Sequence, residues 1–202
     1  MAMIATAGSS GEYTPIPEGT YTGICYGLVD NGEQYNEKFD KTARKITILW
    51  ELDGETIEVD GKTLNRSVSK TYTMSLHEKS GLRKDLRAWR GREFTDEELA
   101  GFNMINILGK ACLIQIVHAE NGGKTYANIA AIMALPRGTK PGQQTNETIL
   151  FDAEDDPLED IGKLPQWLQD RVRASNTYKA RTTGDYAEID PSADGEDEQL
   201  PF

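Results

Sequence analysis

The chain has 202 residues, enough for one domain of roughly 130–150 residues with appendages. Its apolar content of 38% supports a packed core and excludes a wholly disordered chain. No apolar run approaches the roughly 18 residues of a membrane span, and the polar start does not resemble a secretion signal, so the expected location is the cytoplasm, with no membrane partner.

The net charge of −11 is unevenly spread. Residues 1–149 hold 17 Lys+Arg and 19 Asp+Glu, whereas residues 150–202 hold 5 and 14. The body is therefore near neutral and can carry a local basic groove, while the acidity belongs to the tail. Cys25 and Cys112 sit in apolar, strand-like contexts and read as reduced core thiols.

In chain order, residues 1–18 are a lead-in ending at Pro15 and Pro17. A strand starts at Gly19, with Tyr21, Gly23, Cys25 and Gly27 on one face; such small residues favour close approach of another backbone. Asp30-Asn31-Gly32 predicts a turn, and a polar loop is expected to about Thr42. A second strand over 44–52 places Ile46, Ile48, Trp50 and Leu52 on one face. Residues 55–59, between two Asp-Gly turns, are a candidate for a short strand additional to the main order, and the third main strand is expected over 66–76. Ser75-x-x-Glu78 opens a predicted helix whose Leu82, Leu86 and Trp89 share one face and which Gly91 stops. Thr95-x-x-Glu98 is a capping box for a second, short helix. Apolar residues 107–118 and residues 124–135 form a predicted hairpin about Asn121-Gly122-Gly123.

The expected fold is mainly β. Strand, strand, strand, helix, strand, strand is the order of a five-stranded OB-fold barrel with a helix between strands three and four. This domain spans 19–136. A linker over 137–176 carries a short amphipathic helix at 165–175, with Trp167, Leu168 and Val172. Residues 177–202 read as a disordered acidic tail ending in a protein-interaction tip.

Sequence-neutral binding of a single strand needs cations for phosphates and rings on which bases stack. The basic candidates are Lys41, Arg44, Lys45, Arg66, Lys70, Lys110 and Lys124. The aromatic candidates are Tyr35, Phe39, Trp50, Tyr72 and Tyr126, although Trp50 alternates with core positions. Lys70 and Tyr72 share a strand face, as do Lys124, Tyr126 and Asn128. The helical cations Arg83, Lys84, Arg87, Arg90 and Arg92 form either a solvated face or an extension of the phosphate track. No motif of an enzyme, metal site or phosphate loop is present, so no catalysis and no cofactor are expected.

The end, Gly195-Glu196-Asp197-Glu198-Gln199-Leu200-Pro201-Phe202, sets acids before an apolar terminus. It resembles the acidic tip of bacterial and phage single-stranded DNA-binding proteins. Over 66–92 and 106–129 the body is similar to phage replication proteins of that class. The resemblance implies that Leu200, Pro201 and Phe202 dock into replication, recombination and repair proteins, with Asp197 and Glu198 as rim contacts. A homo-oligomer is a further candidate partner, and Trp167 is a candidate either for a self-contact or for a brace against the barrel. Two other functions fit the same pattern, a replisome adaptor and a strand-annealing recombination protein.

Overall fold

A computed structural model describes residues 14–37 and 40–184. Phe39 and the tip residues Asp197, Glu198, Leu200, Pro201 and Phe202 lie outside these. The first two strands are longer than their alternation predicts: β1 is Gly19–Asn36 and β2 is Lys41–Val59. Turn composition here serves irregularities inside strands. Gly32 takes φ 69° and donates its N–H to Asp30 Oδ1 at 2.9 Å while β1 continues. Gly54, at φ 81°, lets β2 absorb the separate strand expected at 55–59. Residues 30–36 and 41–42 of the expected turn and loop thus belong to the two strands.

Asp60 and Gly61, both at positive φ, then turn the chain into β3, Lys62–Thr73. Helix α1, Gly81–Arg90, is capped by Ser80, whose Oγ accepts from Arg83 N at 3.1 Å. Ser75, the expected cap, instead shapes the approach: its Oγ accepts from His77 N and its carbonyl accepts from Ser80 Oγ. Gly91 ends α1 in the left-handed conformation. Helix α2, Asp96–Ala100, has the predicted capping box of Thr95 and Glu98. Residues Met104–Ile107 form one 3-10 turn, so β4 starts later than expected, at Ala111–Asn121. Gly122 and Gly123, at φ 59° and 74°, close the predicted hairpin to β5, Lys124–Met133.

The strands form an open sheet of order β3-β2-β1-β4-β5, in which a sixth strand, β6 (Ile149–Phe151), also pairs with β1. β1–β4 and β4–β5 are antiparallel. The mainly β class and the helix between β3 and β4 are as expected. The pairing leaves β3 and β5 as the ends of an open path.

The chain divides into two compact units. Described residues 14–28 and 47–150 belong to the first. Its core joins Ile48, Trp50 and Leu52 to Leu82, Leu86 and Trp89 of α1 and to Cys112, Ile114 and Ile116 of β4. Each such buried side chain contributes about 1.5–3 kcal/mol. The Trp50 and Trp89 rings lie 5.7 Å apart, and Trp89 Nε1 donates to the Ala111 carbonyl at 2.9 Å. Gly23 lets the core close up here: a Cβ would fall 2.4 Å from Ile114 Cδ1, so Ile114 would have to shift. Cys25 and Cys112 are buried free thiols, and burial pushes that of Cys25 up to about 12.

The second unit takes residues 29–46 and the chain from 151. The expected linker helix appears as α3, Gln166–Ala174, with Leu168 and Val172 buried. A further helix, α4 (Asn176–Thr183), occupies the start of the region expected to be disordered. Ser175 explains it: buried, it caps α4 by accepting from Tyr178 N at 3.0 Å. Thr177 Oγ1 accepts from Glu33 N at 2.9 Å, and Arg181 donates to the carbonyls of Ala153 and Asp156. The helix is therefore tied into its unit from both ends.

Candidate nucleic-acid interface

The strand faces nominated by sequence meet different fates. On β3, Lys70 Nζ lies 2.6 Å from Asp85 Oδ2 of α1, and Tyr72 Oη donates to that oxygen at 2.9 Å. Tyr72 is 5% exposed, and burial, reinforced by Asp85, raises its phenol well above the usual range. This ring belongs to the core and offers no face to a base. Trp50 is wholly buried and is likewise withdrawn as a stacking residue.

Two arginines are also engaged internally. Arg66 pairs with Glu55 at 3.2 Å and donates to the Thr14 carbonyl. In the second unit, Arg44 meets Asp30 at 2.5 Å, Glu154 at 2.7 Å and Asp152 at 3.3 Å. Three carboxylates around one guanidinium make a poor phosphate contact.

The β5 face is different. Lys124, Tyr126 and Asn128 alternate as exposed residues, with Tyr126 43% exposed. The register sets Ala119 opposite Tyr126 and Asn121 opposite Lys124. A small neighbour across the strand leaves the ring uncovered. Neither Lys124 Nζ nor Tyr126 Oη has a partner among the described residues. Met133, 37% exposed, and its β4 partner Leu113 extend the hairpin towards its open end.

Lys110, just before β4, is exposed beside a cleft of about 380 Å³ that it lines with Arg92, Phe102 and Asn106. Arg90 supports this cleft from beneath. Its guanidinium stands 4.4 Å from the Phe94 ring centre and 5.0 Å from that of Phe102, and it pairs with Glu98. Arg90, then Arg92, hold the Glu98 carboxyl down at about 2. Arg90 is thus a brace rather than part of a solvated face. Arg87 pairs with Glu93 at 3.0 Å.

In the second unit, Tyr35 is 53% exposed and donates its hydroxyl to Asp40 at 2.6 Å, a bond that raises its phenol. Tyr35 and Lys45 line one pocket. Lys41 is exposed at the start of β2. The interface candidates therefore resolve into Lys110, Lys124 and Tyr126 in the first unit, and Tyr35, Lys41 and Lys45 in the second.

Sequence reasoning missed Glu51, a carboxylate with no exposure in the first unit. It accepts from Asn65 Nδ2 at 2.9 Å, Asn146 Nδ2 at 2.7 Å, and the N–H groups of Thr145 and Asn146. These bonds offset the cost of burying a charge and fasten residues 145–146 to β2 and β3. Only the Glu within an otherwise apolar strand could have signalled it. Among the described residues, no group of His, Cys, Asp and Glu is placed to hold a metal, and no helix is long and apolar enough to cross a membrane.

Neither models of known protein families nor curated protein sequences match this chain.

Proposed function

We propose that this protein binds single-stranded DNA without sequence preference, in the cytoplasm, during phage DNA replication and recombination. The observation that carries the reading is the β5 face. There, Lys124 and Tyr126 stand exposed two residues apart, with no internal partner for either polar end among the described residues. A cation beside an open ring is the elementary unit of a base-stacking, phosphate-tracking surface. Asn128 continues the face with hydrogen-bonding capacity that suits any base.

The OB-fold reading has its own support. The strand order β3-β2-β1-β4-β5 brings the path's two ends within 8 Å between Cα atoms, and α1 lies against both β3 and β5. That is the order of a barrel sealed at one end by its helix. In this reading the acidic tip, Asp197 to Phe202, recruits replication, recombination and repair proteins. Acids around an apolar end suit a pocket rimmed by cations.

The ion pairs that occupy Arg44, Arg66 and Lys70 favour a second reading, an adaptor that contacts proteins alone. A titration of the full chain with fluorescent oligo-dT and with duplex DNA separates the two. A strand binder prefers the oligonucleotide and loses affinity steeply as salt rises. No change in anisotropy at low ionic strength would overturn the proposal in favour of the adaptor.

A further inference from the structure

The second unit contains a pocket of about 560 Å³. Its walls come from the end of β1, the start of β2 and the C-terminal helices, including Tyr35, Glu37, Lys45, Asn176 and Lys179. The volume lies within the range of roughly 300–1,000 Å³ typical of small-ligand sites. Tyr35 supplies a ring more than half exposed, with its hydroxyl tethered to Asp40. Lys179, on α4, is exposed, and its ammonium has no partner among the described residues. The lining also carries Lys45 and one carboxylate, Glu37, with Asp40 held at the Tyr35 hydroxyl, so Lys179 is the cation that the pocket offers to an anion.

The walls are fixed rather than incidental. Gly32, at φ 69°, lies so close to α4 that a Cβ would meet the Thr177 Cβ at 2.8 Å. Thr177 Oγ1 and Gln34 Nε2 then join β1 to α4 and to the Arg171 carbonyl of α3. The strand that carries Tyr35 and the helix that carries Lys179 are thereby held in register. A ring positioned in advance loses little freedom on binding.

We propose that this pocket takes one nucleotide of a DNA single strand, with its base on Tyr35 and its phosphate on Lys179. The inference rests on the single-strand reading above and extends it: α4 becomes part of the binding surface instead of the beginning of a spacer. The Asn176 amide, also on the pocket wall, can both donate and accept, which suits any base edge.

The test uses the full chain and oligo-dT carrying one photoreactive 5-iodo-deoxyuridine, with cross-links mapped by mass spectrometry. A cross-link at Tyr35 is expected, and Tyr35→Ala should remove it and weaken binding about ten-fold, as loss of one base stack does. Tyr35→Phe, which keeps the ring and loses only the Asp40 bond, should retain the cross-link at residue 35 and bind more tightly than Tyr35→Ala. Lys179→Ala should lower the salt dependence by about 0.7, one phosphate contact on a single strand, and Lys179→Arg should restore it. Parent-like binding by Tyr35→Ala and Lys179→Ala, while Tyr126→Ala weakens it, would overturn this pocket and leave the β5 face standing. A parent chain that ignores every oligonucleotide would overturn both.

Discussion

Lys70-Thr71-Tyr72 on β3 and Lys124-Thr125-Tyr126 on β5 are the same tripeptide. Both lie in strands and both project Lys and Tyr to one face. Their environments are opposite. Tyr72 is 5% exposed and bonded to Asp85, which also holds Lys70; Tyr126 is 43% exposed. The difference comes from what lies across each face. Helix α1 brings Asp85 over β3, whereas β4 sets Ala119 against Tyr126. A residue pattern specifies which side chains travel together, and the covering element decides whether they build the core or meet a ligand.

The largest contrast should be in stability. Tyr72→Ala removes a buried ring and leaves Asp85 without one of its donors, so a loss of about 3–5 kcal/mol is expected. Tyr126→Ala removes an exposed ring and should stay within about 0.5 kcal/mol of the parent. Urea unfolding followed by tryptophan fluorescence reads both, since Trp50 and Trp89 report on the first unit's core. Equal midpoints for the two variants would erase the distinction between the tripeptides.

In binding, the order should reverse. Tyr126→Ala is expected to weaken oligo-dT by about 1–3 kcal/mol, the range for one stacked base. Tyr72→Phe keeps the buried ring and should bind as the parent does. Anisotropy at fixed salt measures both. If Tyr72→Phe weakened binding as much as Tyr126→Ala, β3 would have to contribute to the surface despite its burial.

Much of the fold was legible because it depends on local rules. Gly122 and Gly123 at positive φ make the hairpin, Leu82, Leu86 and Trp89 make one helical face, and Thr95 with Glu98 closes a capping box. What failed was local composition read without its partner. Asp30-Asn31-Gly32 has the chemistry of a turn, yet its bond satisfies an irregularity inside β1 because Ser175 and Thr177 pack against Gly32. The polar segment 176–183 lacks an apolar face, so its helix was invisible without the buried cap Ser175 and the anchors at Thr177 and Arg181. Glu51 is satisfied by Asn65, Thr145 and Asn146, the last two some ninety positions away, a distance that periodicity does not span. Site residues followed the same division. Exposed Lys124 and Tyr126 were legible from alternation, while the engagement of Arg44, Arg66 and Lys70 depended on distant carboxylates.

The smallest expected effect separates the two lysines most directly. Lys124 is exposed with no partner among the described residues, so its ammonium is available to neutralise a phosphate. Lys70 already neutralises Asp85 at 2.6 Å, and a phosphate arriving there would have to compete with that carboxylate while facing its charge. On a single strand, each phosphate that a side chain neutralises adds about 0.7 to the slope of log affinity against log salt. Lys124→Ala should therefore flatten the slope by about that amount, and Lys70→Ala should leave it unchanged. Lys124→Gln serves as a check, since it keeps most of the side chain's length and should give the same slope as Lys124→Ala. A flattened slope in Lys70→Ala would mean that the Asp85 pair opens when DNA binds, which would move the phosphate track from the β5 face towards β3.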